Sequence, residues 1–286
     1  MGTTLKSLLD QPGLIQAPGA SDALTARLVQ QAGFPAVYMT GFGATATTLG
    51  MPDLGLMTGS EMIDHARRMV RATSLPVIAD ADTGYGGVNN LLRTVQDYIQ
   101  IGVAAIHLED QLLPKRCGQL GGIRLAEADD QVRTLKAAIA ARGTSDLILI
   151  ARTDALGVHG IDEAVRRANL YAETGVDLVF IDGVKTIEHA HAIARRVDAP
   201  KVLSIVDGNQ TQQLSAQDIE QMGFRIAFYA LTTLLAAAKA SAAILAALKR
   251  DGSTLAAAST LATYDEFMTM VGLEQFHDFE QQFGQK

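Results

Sequence analysis

Two aspartates, Asp80 and Asp82, follow an apolar run at Val77-Ile-Ala and precede the glycines Gly84 and Gly86. In an extended chain, residues i and i+2 project to the same face, so this spacing predicts two adjacent carboxylates. Adjacent carboxylates repel each other unless a cation lies between them, and a purely oxygen-based ligand set suits Mg²⁺. The segment therefore predicts a magnesium site; the alternative is a capped turn whose aspartates are solvated.

The loop Pro114-Lys-Arg-Cys-Gly-Gln-Leu-Gly-Gly122 contains the only cysteine of the chain, Cys117. Cations favour the thiolate, so the flanking Lys115 and Arg116 predict a lowered pKa for this thiol. The glycines predict a loop that moves as a lid over a site. The alternative is a lone cysteine that fills apolar space.

Short segments rich in apolar and β-branched residues recur along the 286-residue chain, and most are followed by a helical pattern. Such strands alternating with helices predict a parallel sheet covered on both faces. Eight units fit an α/β fold of the (β/α)8 TIM-barrel type, and no dinucleotide-binding glycine pattern follows the first strand. We expect one domain over residues 1–286, with residues 253–286 as a C-terminal helical extension. The predicted strands are residues 14–18, 36–40, 76–80, 104–110, 147–152, 178–182, 201–206 and 225–229.

Polar residues follow most of the predicted strands, at the rim where barrels of this type carry their chemistry. A cluster of like charges this dense would be costly without a cation or an arginine to offset it. The alternative is that Asp and Asn simply favour the first positions of loops. The residues concerned are Thr40, Asp80, Asp82, Glu109, Asp110, Arg152, Asp154, Asp182, Asp207 and Asn209.

Composition limits the partners that the protein can have. The net charge of −7 argues against a nucleic-acid-binding surface, which would be basic. The N-terminal residues lack the apolar core of a signal peptide, and a single cysteine suits a reducing compartment, so we expect a cytoplasmic protein. The apolar run at residues 227–248 contains Lys239 and many alanines, which favours a buried helix over a membrane span.

Six segments in the same order resemble the isocitrate lyase / phosphoenolpyruvate mutase superfamily, over roughly positions 10 to 250. The resemblance implies a (β/α)8 barrel whose last helix is exchanged between subunits, assembled as a dimer of dimers and therefore a homotetramer. It implies Mg²⁺, with Mn²⁺ as a possible substitute, bound through Asp80, Asp82 and Glu109, in part through water. The matching segments are Tyr38-Met-Thr-Gly-Phe-Gly, Met51-Pro-Asp-Leu-Gly, Asp80-Ala-Asp-Thr-Gly-Tyr-Gly, Leu108-Glu-Asp-Gln, Pro114-Lys-Arg-Cys-Gly and Ile150-Ala-Arg-Thr-Asp.

The resemblance also implies roles for individual residues. Members of the superfamily cleave or form C–C or P–C bonds next to a carboxylate through an enolate. The Lys-Arg-Cys-Gly loop is similar to that of the lyase branch, where Cys117 would be the acid–base residue. Tyr38 or a carboxylate-bound water would be the base that takes the hydroxyl proton. The implied catalytic residues are Cys117, Tyr38, Asp53, Lys115 and Arg152, and the implied substrate-binding residues are Thr40, Gly41, Gly43, Gly118, Arg152, Asp182 and Ser204.

Five positions depart from the lyase pattern around the implied pocket. Gln119 stands in place of His and Leu235 in place of an arginine that would pair with a third carboxylate. The other departures are Ile123 for Lys, Asp182 for Glu and Ser204 for Asn.

These observations lead us to expect a Mg²⁺-dependent carbon–carbon lyase that cleaves a small 2-hydroxy dicarboxylate of the alkylmalate kind through an enolate. The alternatives are an oxaloacetate decarboxylase or hydrolase, or an enzyme of the phosphonopyruvate hydrolase or mutase type. A relative that binds a dicarboxylate without catalysis is a further alternative. The expected partner is a small-molecule carboxylate, with neither nucleic acid nor membrane.

Overall fold

The structure is a computed structural model that describes residues 3–284, and its contacts divide the chain into two compact units after Thr232. The first unit is a closed barrel in which strands β1 to β8 pair in sequence order and β8 pairs with β1, all in parallel. The predicted (β/α)8 architecture is therefore confirmed. The expectation of a single domain with an extension from residue 253 stays a prediction.

Each predicted strand overlaps an observed one, with ends that differ by at most a few residues. The strands are β1 Ile15–Ala20, β2 Val37–Met39, β3 Val77–Asp80, β4 Ala105–Glu109, β5 Ile148–Thr153, β6 Leu178–Ile181, β7 Lys201–Ile205 and β8 Ile226–Tyr229. The helices of the first unit are α1 Leu5–Leu9, α2 Ala23–Gln31, α3 Gly41–Leu49, α4 Gly59–Ala72, α5 Val88–Ile101, α6 Ala128–Arg142, α7 Ala155–Ala172, α8 Ile187–Arg196 and α9 Ala216–Gln221, with a 3-10 helix at Gln210–Gln213.

Alternate residues of the strands fill the barrel interior, while the others pack outwards against the helices. Leu5 of α1 packs into the interior cluster. The remaining members of that cluster are Ile15, Ala17, Ala36, Tyr38, Ile78, Ala105, Ile148, Ile150, Leu178, Phe180, Val202, Ile226 and Phe228.

The same alternation carries polar side chains into the barrel at the carboxyl ends of the strands. On β4, Ala105 is followed inwards by His107 and then Glu109. The parallel register pairs Asp80 with His107 and Glu109 with Arg152. Chain alternation and register together therefore bring these four side chains to one end of the barrel.

The second unit begins within the first turn of α10 Thr232–Asp251 and continues with a 3-10 helix at Leu255–Thr260, α11 Tyr264–Val271 and α12 Leu273–Phe283. The expectation that the apolar run is a buried helix is wrong for the single chain, because no residue of α10 is buried. By length and composition alone α10 could cross a membrane, and it carries Lys239 near its middle. Sequence apolarity indicates that a surface needs cover but not what covers it.

Candidate active site

A pocket at the carboxyl ends of the strands is lined by residues of β2, β3, β5, β6 and β7, by residues that follow strands, and by the loop 114–122. Most of the residues implied for catalysis or substrate binding line it. Gly41, Gly43, Asp82, Glu109 and Lys115 are not in its wall. The lining residues are Tyr38, Thr40, Phe42, Asp53, Asp80, Cys117, Gly118, Gln119, Arg152, Phe180, Asp182, Ser204, Val206, Ala230 and Leu231.

Asp80 and Asp82 are both buried, so the alternative of solvated turn residues is wrong. Their arrangement differs from the extended one that the i,i+2 spacing suggested, because Asp82 has φ 46° and lies beyond the end of β3. The Asp80 carboxylate accepts a hydrogen bond of 3.0 Å from the backbone N–H of Asp82 and one of 3.3 Å from that of Gly41. A left-handed conformation at a non-glycine residue costs energy, and such residues cluster at functional sites.

Lys115 reaches from the loop into this carboxylate cluster. Its Nζ lies 2.8 Å from Oδ1 of Asp53 and 2.6 Å from Oδ1 of Asp82. Burial favours the neutral amine, but Asp82 and the other nearby carboxylates outweigh it and raise the pKa of Lys115 well above its usual value. Lys115 is therefore a fixed cation inside the site, not a neighbour that ionises Cys117.

Glu109 retains carboxylate oxygens that the chain does not fully satisfy. Neither oxygen of Glu109 accepts a hydrogen bond, and Oε2 lies 3.3 Å from Nη2 of Arg152. Burial raises the pKa of Glu109 well above its usual range despite Arg152, and it raises that of Asp82 to about 7 despite Lys115. Buried carboxylates short of positive charge are a donor set that suits a hard divalent cation.

The carboxylates do not by themselves form a complete coordination sphere. Among residues 3–284, no three His, Cys, Asp or Glu side chains converge closely enough to hold a metal ion directly. Asp80, Asp82 and Glu109 as ligands therefore stay a prediction, one that requires an ion keeping part of its shell of water, as Mg²⁺ usually does.

Arg152 is held rigidly at the end of β5. It donates to both oxygens of Asp154, at 3.0 and 2.9 Å, and its Nη2 lies 2.6 Å from Oδ2 of Asp182. Burial would lower the pKa of the guanidinium, but Asp154, Asp182 and Glu109 outweigh burial and raise it. Because Asp154 occupies the side of the fork formed by Nε and Nη2, a substrate carboxylate would meet this permanently charged group at Nη1.

Tyr38 and His107 form a buried pair inside the barrel. The phenol oxygen of Tyr38 lies 3.0 Å from Nε2 of His107, and its ring stacks on Phe228. Burial and the charge of Asp80 raise the pKa of Tyr38 well above its usual value, which argues against Tyr38 as the base. Burial lowers the pKa of His107 to about 4, so the imidazole is neutral at pH 7. The sequence interpretation missed His107, although its i−2 spacing from Glu109 was the signal that could have found it.

The predicted lowering of the Cys117 pKa is wrong. Burial is the main cause that raises the pKa of this thiol to about 11, and Asp182 and Asp53 act in the same direction. The neighbouring cations point elsewhere, Lys115 towards Asp53 and Arg116 towards the carbonyl of Gly121. Cys117 is therefore a protonated thiol at pH 7, which can donate a proton.

The backbone N–H groups implied for substrate binding after β2 contact the chain itself. Thr40 is the N-cap of α3, and its Oγ1 accepts from the N–H of Gly43 at 3.5 Å. The N–H of Gly41 donates to Asp80. A Cβ atom at Gly41 would lie 2.5 Å from Oδ2 of Asp80, so this position requires glycine.

Three other implied residues have structural contacts at the pocket. The carbonyl of Asp53 accepts a 3.2 Å hydrogen bond from the N–H of Cys117. Asp53 therefore contacts the loop twice, through this carbonyl and through its ion pair with Lys115. A Cβ atom at Gly118 would collide with the carboxylate of Asp182. Ser204 lies in the pocket wall on β7.

The ring of carboxylates expected at the rim is only partly realised. Asp110 is fully buried and accepts from Thr153 Oγ1 at 2.7 Å, from Tyr171 OH at 2.8 Å and from Arg167 Nη1 at 3.0 Å. Asp207 is exposed. These two side chains are not among those that line the pocket.

A (β/α)8 barrel with buried carboxylates, a fixed arginine and a buried thiol at the carboxyl ends of its strands has the charged groups and the proton donor that an enzyme acting on small carboxylates needs. A sequence profile described as phosphoenolpyruvate phosphomutase matches residues 5–249. The chain belongs to this family, and the resemblance to the superfamily is confirmed.

Curated and structural relatives agree with this membership. The chain is 39% identical to 2,3-dimethylmalate lyase of Eubacterium barkeri over 98% of its length and 96% of the relative. A structure of oxaloacetate acetylhydrolase with the inhibitor 3,3-difluorooxalacetate superposes with a TM-score of 0.93 at 34% identity, covering 99% of this chain and 97% of the other. A structure of phosphonopyruvate hydrolase with oxalate and Mg²⁺ gives a TM-score of 0.89 at 30% identity, with 98% of each chain covered.

Proposed function

We propose that this protein is a Mg²⁺-dependent carbon–carbon lyase that cleaves a small 2-hydroxy dicarboxylate of the alkylmalate kind. One observation carries the proposal: the protonated thiol of Cys117 and the fixed guanidinium of Arg152 line the same pocket. A lyase needs both groups, one to hold the carboxylate and one to protonate the carbon that leaves. The similarity to 2,3-dimethylmalate lyase supports the choice of substrate class.

The chain's own residues would bind and orient the substrate. Asp80, Asp82 and Glu109 would hold Mg²⁺. The bound ion would stabilise the negative charge that develops on substrate oxygens. Arg152 would bind the carboxylate of the 2-hydroxy acid. Lys115 would balance the charge of the carboxylate cluster when the substrate is bound.

The bond-breaking step requires two proton transfers. A water held by the carboxylate cluster relays the proton of the 2-hydroxyl group to a carboxylate of that cluster, since Tyr38 is itself protonated. As the C2–C3 bond breaks, the C2–O single bond becomes a double bond and the electron pair of the broken bond goes to C3. Sγ–H of Cys117 gives its proton to C3, and the carboxylate later loses its proton to solvent while the thiolate takes one up. The products are a 2-oxo acid and a saturated carboxylic acid.

The remainder of the pocket wall suits an alkyl group. Phe42, Val206 and Leu231 are apolar, and Gln119 and Ser204 are neutral. Within the described residues, Arg152 is the one cationic side chain of the wall. A third carboxylate would therefore lack a partner there.

A substrate panel tests the proposal. Purified protein with Mg²⁺ is incubated with malate, 2-methylmalate, 2,3-dimethylmalate, methylisocitrate and oxaloacetate, and the released 2-oxo acid is measured. We expect turnover of an alkylmalate that stops in EDTA. No 2-oxo acid from any 2-hydroxy acid would contradict the lyase: consumption of oxaloacetate would then favour the hydrolase or decarboxylase, and no turnover at all would leave the non-catalytic relative.

A second candidate is hydrolysis or decarboxylation of oxaloacetate, favoured by the structural match to oxaloacetate acetylhydrolase. Loss of CO₂ leaves an enolate that solvent can protonate, so it does not need Cys117. A phosphonopyruvate reaction that used Asp53 is less well supported, because Lys115 already holds that carboxylate. The Cys117→Ser variant separates decarboxylation from the lyase, whereas hydrolysis, which also breaks the C2–C3 bond, is recognised by its product oxalate.

We also propose that the protein is a cytoplasmic homotetramer. The helices of the second unit expose Leu245, Leu255 and Phe276, with 64%, 82% and 67% of their surface accessible. An apolar surface of this kind is normally covered by a partner. Light scattering that gave a mass near that of one 30.4 kDa chain at all concentrations would contradict the assembly.

A further inference from the structure

We propose that Gln119 and Asn209 form a latch that positions Cys117 over the pocket. Nδ2 of Asn209 donates a 3.2 Å hydrogen bond to Oε1 of Gln119, across 90 residues of sequence. Gln119 belongs to the loop after β4, and Asn209 to the segment after β7. The catalytic consequence of the latch rests on the proposed lyase reaction, but the latch itself does not.

The first part of the loop, the base from Lys115 to Cys117, makes hydrogen bonds and ion pairs that do not involve the latch. Lys115 pairs with Asp53 and Asp82, and the N–H of Arg116 donates to Oε1 of Gln111 at 2.9 Å. The N–H of Cys117 donates to the carbonyl of Asp53. These contacts hold the chain up to Cys117 on the side of the barrel formed by β3 and β4.

The tip of the loop is less restrained by its own sequence. Gly118, Gly121 and Gly122 have the greatest backbone freedom of any residue type, so they lose the most entropy when the tip is fixed. Gly118 packs against Asp182, and the latch extends this contact to the far side of the pocket. Cys117 lies between the anchored base and the latched tip.

Asn209 is a firm attachment point for the latch. Its N–H donates to the carbonyl of Val206 at 3.1 Å, and the residue precedes the 3-10 helix Gln210–Gln213 as its N-cap. Gly208 N–H donates to Oε1 of Gln212, which closes the same turn. The segment after β7 therefore presents a fixed donor to the loop 114–122.

The single cysteine makes the latch measurable without a substrate. Alkylation of Cys117 by iodoacetamide at pH 8, followed by intact mass, reports how often the loop exposes the thiol. A neutral hydrogen bond contributes enough to change an opening equilibrium about fivefold. We expect Asn209→Ala and Gln119→Ala each to raise the alkylation rate about fivefold.

The double variant tests whether the two residues act together. If they form one contact, Gln119→Ala with Asn209→Ala alkylates no faster than either single variant. Rates that multiply would overturn the latch, as would a rate for Asn209→Ala equal to wild type. Gln213→Ala, an exposed glutamine on the adjacent 3-10 helix, is the matched control and should leave the rate unchanged.

Steady-state kinetics then separate positioning from general damage to the pocket. In Asn209→Ala we expect kcat for the 2-hydroxy dicarboxylate to fall about fivefold and KM to change less than twofold, because Arg152 remains in place. A loss confined to KM would overturn the positioning role. If no substrate is turned over, the proposed function fails, while the alkylation rates still decide the latch.

Discussion

Nζ of Lys115 lies 2.6 Å from Oδ1 of Asp82, so the loop after β4 carries a cation into the carboxylate cluster after β3. Both side chains are buried, and the same ammonium contacts Asp53. The contact anchors the loop that bears Cys117 and balances charge at the proposed metal site. Several consequences of these two roles can be measured.

Lys115→Met should destabilise the protein strongly. Removing one partner of a buried ion pair leaves uncompensated charge, which costs about 3–5 kcal/mol. The free energy of unfolding in urea measures the loss. Lys6→Met is the control, because the Lys6–Asp146 pair is exposed and water screens its attraction. Equal effects of the two substitutions would contradict the buried charge network.

Alkylation of Cys117 in the wild-type protein should rise about tenfold per pH unit between pH 7 and 10. Only the thiolate reacts, and burial raises the pKa of this thiol to about 11, so its thiolate fraction grows throughout this range. In urea the rate should level off near pH 9, as for a free cysteine. If the alkylation rate of the folded protein reached a plateau below pH 8, the pKa of Cys117 would be lowered, as the sequence predicted.

Cys117→Ser should lose C–C cleavage while it keeps its affinity for oxalate, an enolate mimic. Loss of a positioned proton donor reduces turnover by roughly 10² to 10⁴-fold. Oxalate binding depends on Arg152 and the carboxylate cluster, which the substitution leaves in place. Calorimetry with oxalate and a 2-oxo acid assay measure the two properties. Undiminished cleavage of the 2-hydroxy acid would rule out the acid–base role of Cys117.

Activity should require Mg²⁺ or Mn²⁺ and should be lost in Asp80→Ala. Dialysis against EDTA followed by readdition of metal tests the requirement, and calorimetry with Mg²⁺ tests binding directly. Asp207→Ala removes an exposed carboxylate after β7 and should have little effect on either. An Asp80→Ala enzyme that is fully active in EDTA would refute the metal assignment.

Methylisocitrate should be a poor substrate compared with an alkylmalate. Arg152 is the one cation among the described residues of the pocket wall, and the sequence has leucine at position 235 where the resemblance implies an arginine. Burying an unpaired carboxylate costs on the order of several kcal/mol. The ratio of kcat/KM for the two substrates measures the discrimination. Comparable values would contradict a pocket that has no cation for a third carboxylate.

Local pattern was sufficient to predict the barrel and the places of Asp80, Glu109 and Arg152. Side chains along a strand alternate between its two faces, and a parallel barrel places the carboxyl end of every strand at one rim. Residues that end neighbouring strands therefore meet, whatever the details of packing. The same reasoning would have included His107, two positions before Glu109.

Only the tertiary structure decided where the loop side chains point. Lys115 and Arg116 adjoin Cys117 in sequence, but Lys115 turns to Asp82, and burial rather than sequence neighbours sets the thiol pKa. Asp82 adopts a left-handed conformation that an i,i+2 rule cannot anticipate. Glycine-rich loops have no periodicity to fix the direction of a side chain.

Long-range partners were equally hidden from the sequence. Asp110 resembles the other carboxylates at strand ends, yet Arg167 and Tyr171 of α7 hold it outside the pocket wall. Gln119 accepts a hydrogen bond from Asn209 because the segments after β4 and β7 lie at the same rim of the barrel. The sequence alone determined which residues reach that rim, because strand alternation is local. Folding decided which of them touch, because contacts between distant segments depend on the packing of the whole barrel.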